Sequence, residues 1–134
     1  MALDMTMVMR LLQRKCSSVR ELSRLTKELE ETFARNDEIS ASLLLQMRQE
    51  ELGKIDECME QIWEMGKDDQ VVSEKLRWLV LADPSGAVGE SFEEKKIFEI
   101  RKKTQALLEE LKTSDQQLNK RLSARKSHYK AEVV

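Results

Sequence analysis

The sequence predicts an all-α protein: an antiparallel helical hairpin, then a short helix and a long C-terminal helix, assembled as an elongated bundle of coiled-coil type. Three observations carry this. Apolar residues recur at steps of three and four over most of the chain, the spacing of one helix face. The 134 residues include one proline and four glycines, too few turn formers for a sandwich of short strands. The composition is 40% apolar, 36% charged and 4% aromatic, a profile of long helices rather than of a disordered chain or a large globular core. A chain of this length makes one domain.

The elements follow in order. Over residues 7–35 the stripe is Met9, Leu12, Cys16, Val19, Leu22, Leu25, Leu29 and Phe33. Asn36 tolerates the left-handed backbone that ends a helix, and Asp37 can cap the next one. A second helix over 38–66 carries Ala41, Leu44, Leu45, Leu52, Ile55, Met59, Ile62 and Met65. A short turn at Asp37 sets Leu29 beside Leu45, Leu22 beside Leu52, Val19 beside Ile55, Cys16 beside Cys58 and Leu12 beside Ile62. Leu45, Leu52 and Ile55 therefore belong to the predicted seam, together with Arg48, a charge at a stripe position. Arg48 has two readings: its charge snorkels at the seam's rim, or it is hydrogen-bonded and holds another helix. Cys16 and Cys58 are packed thiols, with a regulatory disulfide as the alternative.

Gly66-Lys67-Asp68-Asp69 reads as a turn. Residues 70–81 read as a helix of about three turns; a strand is the alternative, but no second strand exists to pair with it. Asp83-Pro84-Ser85-Gly86 is a turn and the loop continues through Gly89. Ser91 and Glu94 form a capping box, so the last helix starts at Phe92. It is predicted over 92–127, longer than either hairpin helix, with part of it projecting beyond the bundle and residues 130–134 as a frayed tail. Trp63 and Trp78 are expected as core anchors. Met5, Met7, Met9, Met47, Met59 and Met65 fill core gaps or an adaptable binding surface.

Charge is unevenly distributed although the net is −2. Residues 36–66 hold two bases and eight acids, a net of −6, whereas residues 91–134 hold eleven bases and seven acids, a net of +4. This favours antiparallel neighbours without fixing them. Function classes fall away by inventory. There is one histidine, His128, and two cysteines without a C-x-x-C spacing, so no metal or redox motif is expected. Gly86-Ala87-Val88-Gly89 lacks the strand and lysine of a phosphate loop. No catalytic residue and no cofactor are expected. Lys120, Arg121, Arg125, Lys126 and Lys130 are a basic run that suits a helix C-terminus; the acidic balance argues against nucleic acid as the main partner. No apolar run approaches a membrane span and the opening segment lacks a signal-peptide pattern, so a cytoplasmic location is expected.

One segment resembles a known family. Asn36-Asp37 followed by Leu44-Leu45-Gln46-Met47-Arg48-Gln49-Glu50-Glu51-Leu52-Gly53-Lys54-Ile55 is similar to the second-helix signature of the FlgN-type flagellar export chaperones, an Asp near the turn and then L-L-x-x-R-x-x-x-L-x-x-I. Asp115-x-x-Leu118-Asn119 and the basic ending agree more loosely. The resemblance implies a small all-helical cytoplasmic chaperone. Such a protein would bind the C-terminal amphipathic helices of hook–filament junction proteins, prevent their early assembly and deliver them to the type III export apparatus. Carried over to this sequence, the family's binding region falls on the last helix, at Leu107, Leu108, Leu111, Leu118 and Leu122, with Tyr129 beyond them.

The residues themselves point the same way by a separate route. A helix of this length must cover its stripe, and a hairpin reaches only part of it, leaving a leucine row for a partner helix. A self-associating coiled-coil scaffold, closing its bundle as a homodimer, would use the same row.

Overall fold

The computed structural model describes the backbone of residues 2–133 and the side chains of residues 2–124. Among them are four helices and no strand: α1 (Met5–Ala34), α2 (Glu38–Glu64), α3 (Gln70–Leu81) and α4 (Phe92–Val133). Each starts where a side-chain oxygen can satisfy the free N–H groups of a first turn. Asp4 accepts from the Met7 N–H at 3.0 Å, Asp37 from Ser40 at 3.1 Å, and Asp69 from Val71 at 3.0 Å and Val72 at 3.3 Å. Asp4 explains why α1 begins two residues before the predicted start. At the hairpin turn Asn36 has φ 58°, the left-handed conformation that asparagine tolerates. The predicted bounds of α3 are the observed ones. The α4 backbone stays helical to Val133, past the predicted end at 127 and through most of the expected frayed tail.

The capping box of α4 is fully formed. Ser91 Oγ accepts from the Glu94 N–H at 3.1 Å, and Glu94 Oε2 accepts from the N–H groups of Ser91 at 3.0 Å and Glu90 at 3.1 Å. Lys75 of α3 closes the arrangement with an ion pair to the other Glu94 oxygen. Gly89 lets the loop lie on α4: a Cβ there would sit 2.7 Å from the Lys95 nitrogen.

α1 is the spine. It packs lengthwise against both α2 and α4, while α2 and α4 make no close backbone approach to each other among the described residues. Its buried set, including Val8, Leu12, Val19, Leu22, Leu25, Thr26 and Leu29, is too wide for one neighbour and serves two. Small hydroxyl residues allow close approach, and Thr26, Thr32 and Thr104 each donate to the carbonyl one turn back, Leu22, Glu28 and Ile100, at 2.8, 2.7 and 3.0 Å. Burying those hydroxyls therefore strands no donor.

Directions follow from cross-links. Lys27 pairs with Glu110, and Arg121 donates to the Glu30 carbonyl at 3.2 Å, so α1 and α4 run parallel. α2 returns antiparallel from the turn. The α3 backbone approaches those of α2 and α4 among the described residues, and its side chains share a core cluster with α1; Lys75 meets Glu94, and Arg101 donates to the Leu79 carbonyl at 3.0 Å. It thus runs parallel to α4, at the corner of the bundle opposite α1.

Two core clusters result. One, near the start of α1, joins Leu12, Cys16, Cys58, Ile62, Leu76, Leu79, Ile97 and Phe98; the other, near the hairpin turn, joins Leu25, Leu29, Ala41, Leu44 and Leu118. Cys16 and Cys58 are both buried free thiols in the first cluster, and burial pushes the Cys58 thiol up from its ordinary pKa. Trp78 anchors that cluster edge-on to Phe98, with centroids 5.0 Å apart, but Trp63 is 38% exposed and not the anchor expected.

Two outcomes are expected. Leu25 and Leu29 are wholly buried, so Leu25→Ala or Leu29→Ala should cost about 2–5 kcal/mol in urea unfolding. Lys75 first, then the Ser91 and Glu90 N–H groups, pull the Glu94 carboxyl from an ordinary 4.5 to about 2. A depressed folded-state pKa stabilises above the unfolded value and loses that contribution as pH falls through the folded one. Glu94→Gln should therefore lower Tm at pH 7, and the deficit relative to wild type should shrink as pH falls from about 4.5 towards 2.

Candidate partner-binding site

On α2, Ala41, Leu44, Cys58 and Ile62 turn inward. Leu44 and Leu45 are adjacent, about 100° apart around the helix axis, so both cannot face α1. Leu44 takes the seam and Leu45 is turned out, 46% exposed; Leu52, seven residues on, is 41% exposed. This corrects the predicted seam: Leu45 and Leu52 lie on its flank, and only Ile55 and Arg48 of the four are half-buried.

That flank faces α4. Arg48 shares it, three residues after Leu45 and four before Leu52, and its Nη2 donates to Asp115 Oδ1 of α4 at 2.9 Å. The Arg48 side chain is only 18% exposed, and its Nε has no hydrogen-bond partner. The bridge is thus the second reading of Arg48, an arginine that ties a further helix, and it spans a gap the two backbones do not close.

The leucines of α4 are placed otherwise than expected. Leu111 and Leu118 are 8% and 3% exposed. Leu107 packs against the first cluster and Leu122 against the second. α1 has a second apolar side, and α4 uses these residues to cover it, so they do not form a free row. Leu108 alone of the five is exposed, at 42%. Tyr129 lies outside the residues whose side chains are described, as do Arg125, Lys126 and Lys130 of the basic run; Arg121 of that run donates to the Glu30 carbonyl near the end of α1.

A corner remains. α3 fills the angle between α2 and α4 at one end, where Met59, two turns beyond Leu52 on the same flank, is packed into the core. With 12 residues against 30 in α1, α3 covers roughly 18 Å of a roughly 45 Å spine. Past its end, Leu45 and Leu52 on α2 and Leu108 on α4 are exposed, and the Arg48–Asp115 bridge joins the two helices. At the junction with α3 lies a cleft of about 400 Å³ whose lining includes Leu12, Lys15, Leu81, Arg101 and Leu108. Lys15 and Arg101 are unremarkable charges in the sequence, and the packing of α1 on α4 brings them to one place.

α2 and α4 differ in charge. Asp56, one turn after Leu52, is exposed on α2, and Lys112, one turn after Leu108, is exposed on α4. No described helix is long and apolar enough to cross a membrane. Comparison with protein-family models, curated proteins and solved structures gives no match.

The Arg48–Asp115 link generates a test. Asp115→Ala leaves a half-buried guanidinium without its carboxylate and should cost about 1 kcal/mol. Adding Arg48→Met removes the orphaned charge and should recover most of that loss, read as urea midpoints at constant m-value.

Proposed function

We propose that this chain is a helix-binding carrier of the FlgN type, whose open corner between α2 and α4 accepts an amphipathic segment of another chain. One observation supports it above the others: Leu45, Leu52 and Leu108 stay exposed along the same angle that α3 fills farther down. A guest helix there would take the place α3 takes below and complete a four-helix cross-section. The site of the reading thereby moves. The buried Leu111 and Leu118 support the bundle, and the docking surface is the α2 flank with Leu108.

Magnitudes fit a releasable carrier. Covering what remains exposed of Leu45 and Leu52 contributes about 1–3 kcal/mol gross, the guest's own apolar side chains add their burial, and ordering a flexible guest removes about 2–5 kcal/mol. Leu108 and polar contacts at the rim supply the remainder. In the export-chaperone reading the guest is the C-terminal helix of a hook–filament junction protein, held in the cytoplasm until delivery.

Closure by a second copy would place the acid-rich α2, part of a segment of net charge −6, against its own like-charged copy, which disfavours it. A guest helix with basic residues towards α2 meets no such penalty.

Calorimetric titration of the purified chain with the C-terminal segments of the junction proteins of its own organism tests this. A 1:1 complex is expected, weakened about 100-fold or more by Leu45→Asp with Leu52→Asp, while light scattering of the free chain gives a monomer. Undiminished binding by that double variant would contradict the docking surface. A dimer dissociated by the same double variant would favour the scaffold instead.

A further inference from the structure

The cleft at the end of α3 has a chemistry of its own. Lys15 comes from α1 and Arg101 from α4, and both line it with Leu12, Leu81 and Leu108 around them. Arg101 is engaged: it donates to the Leu79 carbonyl at 3.0 Å and its guanidinium lies 5.7 Å from the Phe98 ring. Lys15 makes no hydrogen bond or ion pair among the described residues, although it is half-buried. Asp83 also lines the cleft, and its carboxylate accepts from the Ser85 N–H at 3.0 Å within its own turn. Two cations thus face one acid already held by the backbone.

Burial first, and the Arg101 charge second, lower the Lys15 pKa, with Cys58 on α2 acting in the opposite sense. Burial likewise lowers that of Arg101, against the pull of Asp83. Cations so placed are under-supplied with negative charge, and an incoming anion would relieve both.

We infer that the cleft receives the C-terminal carboxylate of the docked helix, with Lys15 as its ion pair and Leu12, Leu81 and Leu108 around its last apolar side chain. The inference rests on the helix-docking reading and adds a direction to it. The guest runs antiparallel to α3, its C-terminus down in the cleft and its body along Leu52 and Leu45. Inverted, it would bring the positive end of its dipole against Lys15 and Arg101. Arg101 already answers one carbonyl at the end of α3, that of Leu79, which leaves Lys15 for the guest.

The test uses N-acetyl-L-leucine, a carboxylate with one apolar side chain, and N-acetyl-L-leucinamide, which lacks the charge. Each is titrated at millimolar concentration into the full chain and followed by amide NMR. The acid is expected to give saturable shifts at Lys15, Leu81, Asp83, Arg101 and Leu108, with the amide about tenfold weaker, the worth of one charge-assisted hydrogen bond. Lys15→Met, or Lys15→Gln where the first does not fold, should abolish the difference. Equal response to acid and amide, an acid preference that survives loss of Lys15, or no saturable shift overturns the inference. Neither probe reaches Leu45 or Leu52, so such a failure leaves the docking surface standing. Loss of peptide binding elsewhere does not mimic it.

Discussion

The structure depends on one helix being shared. α1 buries an unusually broad face, with Val8, Val19, Leu25 and Leu29 wholly enclosed, and two long helices lean on it from different sides. Because the hydrophobic effect scales with area removed from water, a helix that serves two neighbours contributes more than either neighbour can. It also dictates shape: helices placed side by side around a spine need not touch each other. That is why α2 and α4 are joined by the long Arg48 side chain rather than by packed leucines.

An angle between two helices is a place for another one. The chain supplies it with α3, but α3 is short and stops at Leu81. Beyond it, Leu45 and Leu52 are exposed on α2 and Leu108 on α4, with Asp56 exposed on the first helix and Lys112 on the second, and the Arg48–Asp115 pair ties the two. A bundle left incomplete in this way retains surface whose burial by a second chain is favourable, yet the spine's own core does not depend on that chain arriving.

Much of the fold could be read before coordinates. Asn36-Asp37, Asp69 and Ser91-x-x-Glu94 announce three helix starts because short oxygen side chains satisfy free N–H groups locally, with no tertiary information needed. The hairpin heights were readable for the same reason: a turn this short leaves few registers. Facing was harder. The stripe on α2 is too wide for one neighbour, and Leu44-Leu45 signals as much, yet periodicity alone does not say which of two adjacent leucines turns inward. On periodicity alone the hairpin covers only part of α4 and its leucines look surplus, whereas α1 has a second buried side that takes them, broadened by buried Ser23 and Thr26, residues a hydrophobicity pattern passes over. Lys15 and Arg101 lie 86 positions apart in the sequence, and only the packing of α1 against α4 gives them common ground. Arg48 was the exception, since a charge on an apolar stripe calls for a partner.

The central claim is that the free chain keeps the α2 flank open and its α4 leucines closed. Methyl NMR of leucine-labelled protein with a soluble paramagnetic agent reads both at once. The account predicts strong broadening of the Leu45, Leu52 and Leu108 methyls and protection of Leu111 and Leu118 equal to that of Leu22. Broadened Leu111 and Leu118 beside protected Leu45 and Leu52 would contradict it.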